Sequence, residues 1–108
     1  MEEDKILARQ SDLDLIIGGH SHSLMWRNGS DTTGLDPDDI NTVVDSYPAF
    51  ETSSIHGRPV PVVQAFWSGK YLGVLHLQLN LVNESYVLNS VDDVNGEPIL
   101  LDTSIGTV

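Results

Sequence analysis

The sequence predicts an α/β fold built mostly of β strands, with one helix end at its start and a long loop ahead of the strand-rich part. Three observations carry that reading: a run of helix formers leads into a short apolar segment closed by two glycines, a β-branched segment opens on two prolines, and leucines then alternate with polar residues. At 108 residues, 40% hydrophobic and 19% charged, the chain fits one small globular domain. A domain of this length buries roughly two-thirds of its unfolded surface, which is a modest core.

Each element follows in order. Residues 2 to 10 are good helix formers, Ser11 and Asp12 are stop residues, and the segment reads as the last turns of a helix, so the chain is expected to begin mid-helix. Leu13-Asp14-Leu15-Ile16-Ile17 is a nearly continuous apolar run ending at Gly18-Gly19, the pattern of a buried strand that stops at a permissive turn. From Ser21 to about Ser54 periodicity fades among Asn28, Gly29, Gly34, Pro37 and Pro48, which predicts a long surface loop with a helical turn over Asp38 to Val44. Pro59 to Phe66 reads as a strand whose prolines keep its start off the central ladder. Leu75, Leu77, Leu79 and Leu81 alternate with Val74, His76, Gln78 and Asn80, predicting a half-buried antiparallel strand with one packed face. A hairpin at Asn83-Glu84 leads to a second strand over Tyr86 to Val91, a turn over Asp93 to Glu97, and a short apolar segment from Pro98 to Leu101.

Sixteen Asp and Glu against five Lys and Arg leave a formal net charge of -11. Nucleic-acid and anionic-membrane binders rely on a basic face, so neither partner is expected. A phosphate-bearing substrate would need a local cation to offset this field. No apolar stretch approaches the length of a membrane span. There is no cysteine, hence no disulfide and no thiolate chemistry, and the first residues lack the pattern of a signal peptide. Asn28-Gly29-Ser30 and Asn83-Glu84-Ser85 are acceptor sequons usable in a secreted eukaryotic protein.

Chemistry concentrates in Gly18-Gly19-His20-Ser21-His22, at the C-terminal end of the first strand. Glycines let the backbone turn sharply and carry two imidazoles to the sheet edge. Histidines one residue apart are too close for a helical chelating pair and too few for a closed zinc site. They suit a cluster in which each ring serves a different metal of a close pair. On spacing alone two partly exposed turn histidines satisfied by water and backbone are the better reading.

The segment from Asp12 to Ser23, Asp-Leu-Asp-Leu-Ile-Ile-Gly-Gly-His-Ser-His-Ser, resembles the last metal-binding motif of the calcineurin-like metallophosphoesterases in the form used by the 5′-nucleotidase family. Tyr47-Pro48, Gly57 to Ala65, Gly69-Lys70-Tyr71-Leu72-Gly73 and Gly96 to Asp102 are similar, in order, to the segments that follow it in secreted and surface 5′-nucleotidases. The resemblance implies an α/β metallophosphoesterase sandwich of which residues 1 to 108 form the C-terminal portion of the catalytic domain. It implies that His20 ligates one ion and His22 the other of two divalent metals, zinc, manganese or similar, in an enzyme that releases phosphate from nucleoside 5′-phosphates. It also implies an extracellular or cell-surface parent. The family's Asp-x-His, Gly-Asp-x-x-(Asp or Asn) and Gly-Asn-His-(Glu or Asp) motifs, its catalytic histidine and its nucleotide-binding C-terminal domain do not occur in these 108 residues. The isolated chain is therefore expected to be inactive, and its oligomeric state is open.

Two further function readings stay beside this one: a non-catalytic β-rich binding module, and a relative acting on nucleotide sugars, cyclic nucleotides or nucleoside di- and triphosphates. Among the remaining side chains, Gln64 and Lys70 are expected to serve strand packing and loop structure, His76 to face water and His56 to be a loop residue. Phe66, Trp67 and Tyr71 are expected in core or edge packing. Asp36, Asp38 and Asp39 lack the glycine and terminal Glu of a calcium loop and read as a solvated acidic loop.

Overall fold

Residues 1–27 and 32–101 are described by a computed structural model, with the backbone alone for 92–96. The first sequon, at Asn28, and the residues from Asp102 onward lie outside the described residues. One helix, α1 (Glu2–Gln10), is followed by β1 (Ile16–Ile17), β2 (Leu24–Trp26), a 3₁₀ turn (Pro37–Thr42), β3 (Val43–Ser46), β4 (Ala49–Thr52), β5 (Pro59–Val63), β6 (Tyr71–Val82) and β7 (Ser85–Leu100). The α/β, mostly β, architecture expected from the sequence is what forms.

The helix carries Glu2, Glu3 and Asp4 in its first turn and Arg9 in its last, the charge order that suits the helix dipole. It ends at Ser11, whose backbone is extended. Carbonyls freed at that end are taken up by the turn that follows β4: Ser54 N–H donates to Arg9 C=O at 2.8 Å and Ser53 Oγ to Ser11 C=O at 2.5 Å. Ala8 is fully buried and packs with Ile16, Val60 and Val62.

The central sheet has the order β1-β5-β4, with β1 parallel and β4 antiparallel to β5. The prolines thus begin a strand at the middle of the sheet, not at its margin. Val63 C=O faces β1, where it accepts from Gly18 N–H at 2.8 Å. By the two-residue alternation Pro61 and Pro59 face the same side, where β1 pairs only with Val62 and Val63. Their missing N–H groups therefore interrupt no ladder bond.

The expected long loop is the largest correction. Within it β2 pairs with β3 in parallel and β4 joins the central sheet, and of the elements found there the sequence predicts only the helical turn. Strands of three or four residues are too short to show a period. Leu24 and Trp26 enter one core with Leu35 and Tyr71, whereas Met25, facing the other way, joins Tyr47, Ala49 and Val63. A second correction concerns β1, which spans only Ile16–Ile17, with Leu13 44% and Ile17 76% exposed. Leu15 and Ile17 instead line an open cavity of about 320 Å³ with Val63, Ala65, Leu75 and Leu77.

β6 and β7 form the expected hairpin, turning at Asn83 and Glu84, both at positive φ (51° and 67°), which is the two-residue geometry that matches strand twist. Val74 opposes Glu97 while His76 opposes Asp92, so the turn expected over Asp93 to Glu97 is a bulge within β7. The period-two pattern is real, and its apolar face packs at Leu75, against the Met25 core, but not toward the hairpin tip. Cross-strand pairs Leu79 with Leu88 and Leu81 with Tyr86 include side chains 51%, 64% and 72% exposed at Leu79, Leu81 and Tyr86.

Candidate functional site

Because β1 and β5 run parallel, both leave the sheet at the same end. Segments beyond the carboxyl ends of adjacent parallel strands are where α/β sheets usually hold ligands. Here they are Gly18 to Ser23, which contains both predicted ligands, and Gln64 to Lys70.

Ser21 N–H donates to Gly19 C=O at 2.8 Å and closes a three-residue turn around His20. The backbone is left-handed at His20 (φ 68°) and again at His22 (φ 53°). A side chain in that region costs about 1–3 kcal/mol and persists only where its surroundings impose it. Gln64 bonds to the residues on either side of His22. Only 2% exposed, it accepts Ser23 N–H on Oε1 at 3.1 Å and donates from Nε2 to Ser21 Oγ at 2.9 Å, while Ser21 Oγ and Ser23 Oγ lie 2.8 Å apart. Asp4 Oδ2 takes a longer bond from Nε2 at 3.4 Å. At Gly18 a Cβ would lie 2.0 Å from Asp4 Oδ2, the movable end of a side chain, and 3.2 Å from Gln64 Nε2.

Both imidazoles are exposed. His22 stacks on Trp67, with ring centroids 5.4 Å apart and planes inclined by 19°. Trp67 is 51% exposed, so it caps the turn and packs at the edge, one of the two placements expected for it. Phe66, also at positive φ (65°), links this stack to Tyr71, at 6.2 Å from Trp67 and 6.0 Å from Tyr71 by ring centroids. Tyr71 is core, as the sequence predicts.

Beneath that chain of rings the acidic segment is not a solvated loop. Asp39 is 7% exposed, accepts the Tyr71 hydroxyl at 2.7 Å and pairs with Lys70 Nζ at 2.7 Å, and Asp36 pairs with the same amine at 3.0 Å. Asp36 also caps the 3₁₀ turn by accepting Asp38 N–H. That backbone bond, reinforced by Lys70, holds its carboxyl below the usual range. The two carboxylates raise the Lys70 amine. Burial, and then donation to Asp39, push the Tyr71 hydroxyl up to about 12. Lys70 is thus committed to loop structure, as expected.

The other histidines stand apart from the turn. His56 donates from Nε2 to Leu13 C=O at 2.9 Å and accepts Arg58 N–H on Nδ1 at 3.0 Å, which fixes a neutral tautomer with both nitrogens occupied. His76 lies exposed on β6. Among the described residues no hydrogen bond engages the His20 or His22 ring, and no group of three His, Cys, Asp or Glu comes together. Two imidazoles with available lone pairs fit zinc, manganese or a similar divalent ion as ligands, and a complete coordination sphere needs further donors. Sequence reasoning found both histidines but missed that Gln64 and Trp67 hold them, since neither contact leaves a periodic signal.

No family model matches the chain. Against curated proteins it is 37% identical over 105 residues to a 5′-nucleotidase of Homo sapiens, an alignment that takes in 96% of the chain and 16% of that relative. It is also 37% identical over 105 residues to the 5′-nucleotidase of Bos taurus and 33% identical over 105 residues to the snake venom 5′-nucleotidase of Naja atra, covering 16% and 17% of those proteins. The chain therefore spans about a sixth of the length of the relatives it matches, and the resemblance carried by its motifs is borne out.

Proposed function

We propose, for a chain that resembles a segment of the 5′-nucleotidases over nearly its whole length, that it contributes His20 and His22 as metal ligands to a two-metal phosphohydrolase acting on nucleoside 5′-phosphates. The observation that carries this reading is the His20 to His22 turn itself, left-handed at both histidines and pinned by Gln64 beyond the carboxyl ends of β1 and β5. Two divalent ions, zinc, manganese or similar, supply to such a centre an activated water and charge stabilisation at the phosphoryl oxygens.

The chain's own contribution is positional. Its exposed imidazoles would offer nitrogen donors, that of His20 to one ion and that of His22 to the other. Its net charge of -11 opposes a phosphate ester, so the cations also make the field at this end of the sheet acceptable to substrate. The parent is read as extracellular or on the cell surface, as the snake venom relative's name suggests for that protein. Asn83, at the exposed tip of the β6–β7 hairpin, is then an available glycan acceptor. No helix among the described residues is long and apolar enough to cross a membrane.

A chimera tests this. Replacing the matching segment of the Homo sapiens relative with these 108 residues should retain hydrolysis of a nucleoside monophosphate, and His20→Ala with His22→Ala in the chimera should abolish it and lower bound metal. An equally active double variant with unchanged metal content would overturn the assignment. The same chimera, offered nucleotide sugars, cyclic nucleotides and nucleoside di- or triphosphates, ranks the alternative substrates.

The uncovered leucine face of the hairpin supports a second reading, a β-rich module that works by association. A chimera without activity, together with self-association of the chain itself, would favour it.

A further inference from the structure

The turn that carries His20 and His22 is held from one short segment. Gln64 leaves the end of β5 after Val60, Val62 and Val63, all apolar and buried, and is itself 2% exposed. Burying a primary amide costs free energy unless both of its ends find partners. Its oxygen faces Ser23 N–H and its nitrogen faces Ser21 Oγ, and the Ser23 donor fixes which end is which. An aliphatic side chain of equal length would fill the same space. What the amide adds is a tie to the residue between the two histidines and to the residue just after them. Three positions further on, Trp67 closes over His22 from outside.

We propose that Gln64 is the positioning residue of the His20 to His22 turn: it holds the left-handed backbone that aims both imidazoles, an inference that rests on reading those imidazoles as metal ligands. It acts through the backbone at Ser23 and the hydroxyl of Ser21 and makes no hydrogen bond to either ring. Groups that orient metal ligands in this indirect way typically matter about 10- to 100-fold in metal affinity.

The experiment uses the 108-residue chain with three readouts. Amide exchange at Ser23 and the ring contact between His22 and Trp67 are read by NMR without metal, and zinc affinity is read by calorimetry with zinc alone. Gln64→Met should keep the far-UV circular dichroism of the parent, raise Ser23 exchange about tenfold, abolish the ring contact and weaken zinc about tenfold or more. Exchanging the two partners, Gln64→Glu with Asp4→Asn, keeps an acceptor for Ser23 and should restore protection. Ser21→Ala changes an exposed residue and keeps the fold in any case, and it should raise Ser23 exchange by a smaller factor. Unchanged Ser23 protection in Gln64→Met and in Ser21→Ala would overturn the proposal, as would unchanged zinc affinity in a folded Gln64→Met. Unchanged metal content in the chimera carrying His20→Ala with His22→Ala, while Ser23 exchange in the chain still depends on Gln64, would contradict the metal reading and leave the positioning role standing.

Discussion

The indole of Trp67 lies on the imidazole of His22 at 5.4 Å, nearly parallel to it, and both rings face solvent. The contact is a side-chain bridge between the turn after β1 and the segment after β5. Because an exposed stack is worth at most about 1 kcal/mol, Trp67→Ala should leave stability almost unchanged. It should nevertheless free the His22 ring. Intrinsic fluorescence reports the contact: Trp26 is buried, so His22→Ala should change emission only through Trp67. Emission unaffected by His22→Ala would place the ring elsewhere in solution.

Two glycines make opposite predictions. A Cβ at Gly73 would lie 2.8 Å from the hydroxyl of Tyr47, a rigid side chain only 3% exposed, and 3.5 Å from the Ala65 Cβ. Gly73→Ala should therefore cost about 1–3 kcal/mol by overpacking. At Gly18 the nearest atom is the end of the Asp4 side chain, which can swing away, so Gly18→Ala should cost under about 1 kcal/mol. Urea unfolding of the two variants checks the order, and the reverse ranking would contradict the packing described for these positions.

Stability should fall at both extremes of pH for different groups. Asp36, lowered by the Asp38 N–H and by Lys70, contributes stability above its ordinary value of 3.8 and loses it as pH drops through its lower folded value. Tyr71 is raised from 10.0 to about 12, mainly by burial and next by its bond to Asp39. Its contribution is complete below pH 10.0 and is lost as pH rises toward 12. Lys70, raised by the same carboxylates, adds to the alkaline loss. Tyr71→Phe should cost about 1 kcal/mol at neutral pH, because Asp39 loses a buried donor, and should flatten the decline between pH 10 and 12. Thermal melts across pH check it, and an unaltered alkaline limb would contradict the assignment to Tyr71.

The hairpin face offers a test of association. Leu79 and Leu81 are half or more exposed, so Leu79→Lys with Leu81→Lys should change stability by roughly 0.5 kcal/mol or less per site. Light scattering should show less self-association, since an apolar strand face and its edge invite pairing. Unchanged scattering would mean that this face is not what associates.

What the sequence made legible follows from where its signals are local. Helix formers over residues 2 to 10 and the Asn83-Glu84 hairpin rest on neighbours along the chain, and both formed, whereas the glycine-closed strand before His20 formed only over Ile16–Ile17. β2, β3 and β4 were illegible because three or four residues show no period, and their pairing is between segments far apart in sequence. The prolines misled about β5, since what matters is the side to which Pro59 and Pro61 turn their nitrogens, a property of the sheet. At the site, the two histidines stand out as candidates through the resemblance more than through their spacing. The buried amide of Gln64 and the reuse of Asp36 and Asp39 as partners of Lys70 were not, because a polar residue is satisfied by whatever the fold brings to it.

The most direct test of the central claim is a zinc titration of the chain followed by the ring resonances of its four histidines. His56, with both nitrogens engaged, and His76, exposed on β6, serve as internal controls. If His20 and His22 are metal ligands, their signals shift first and together while those of His56 and His76 stay in place. Shifts shared equally by all four, or confined to the controls, would contradict the claim.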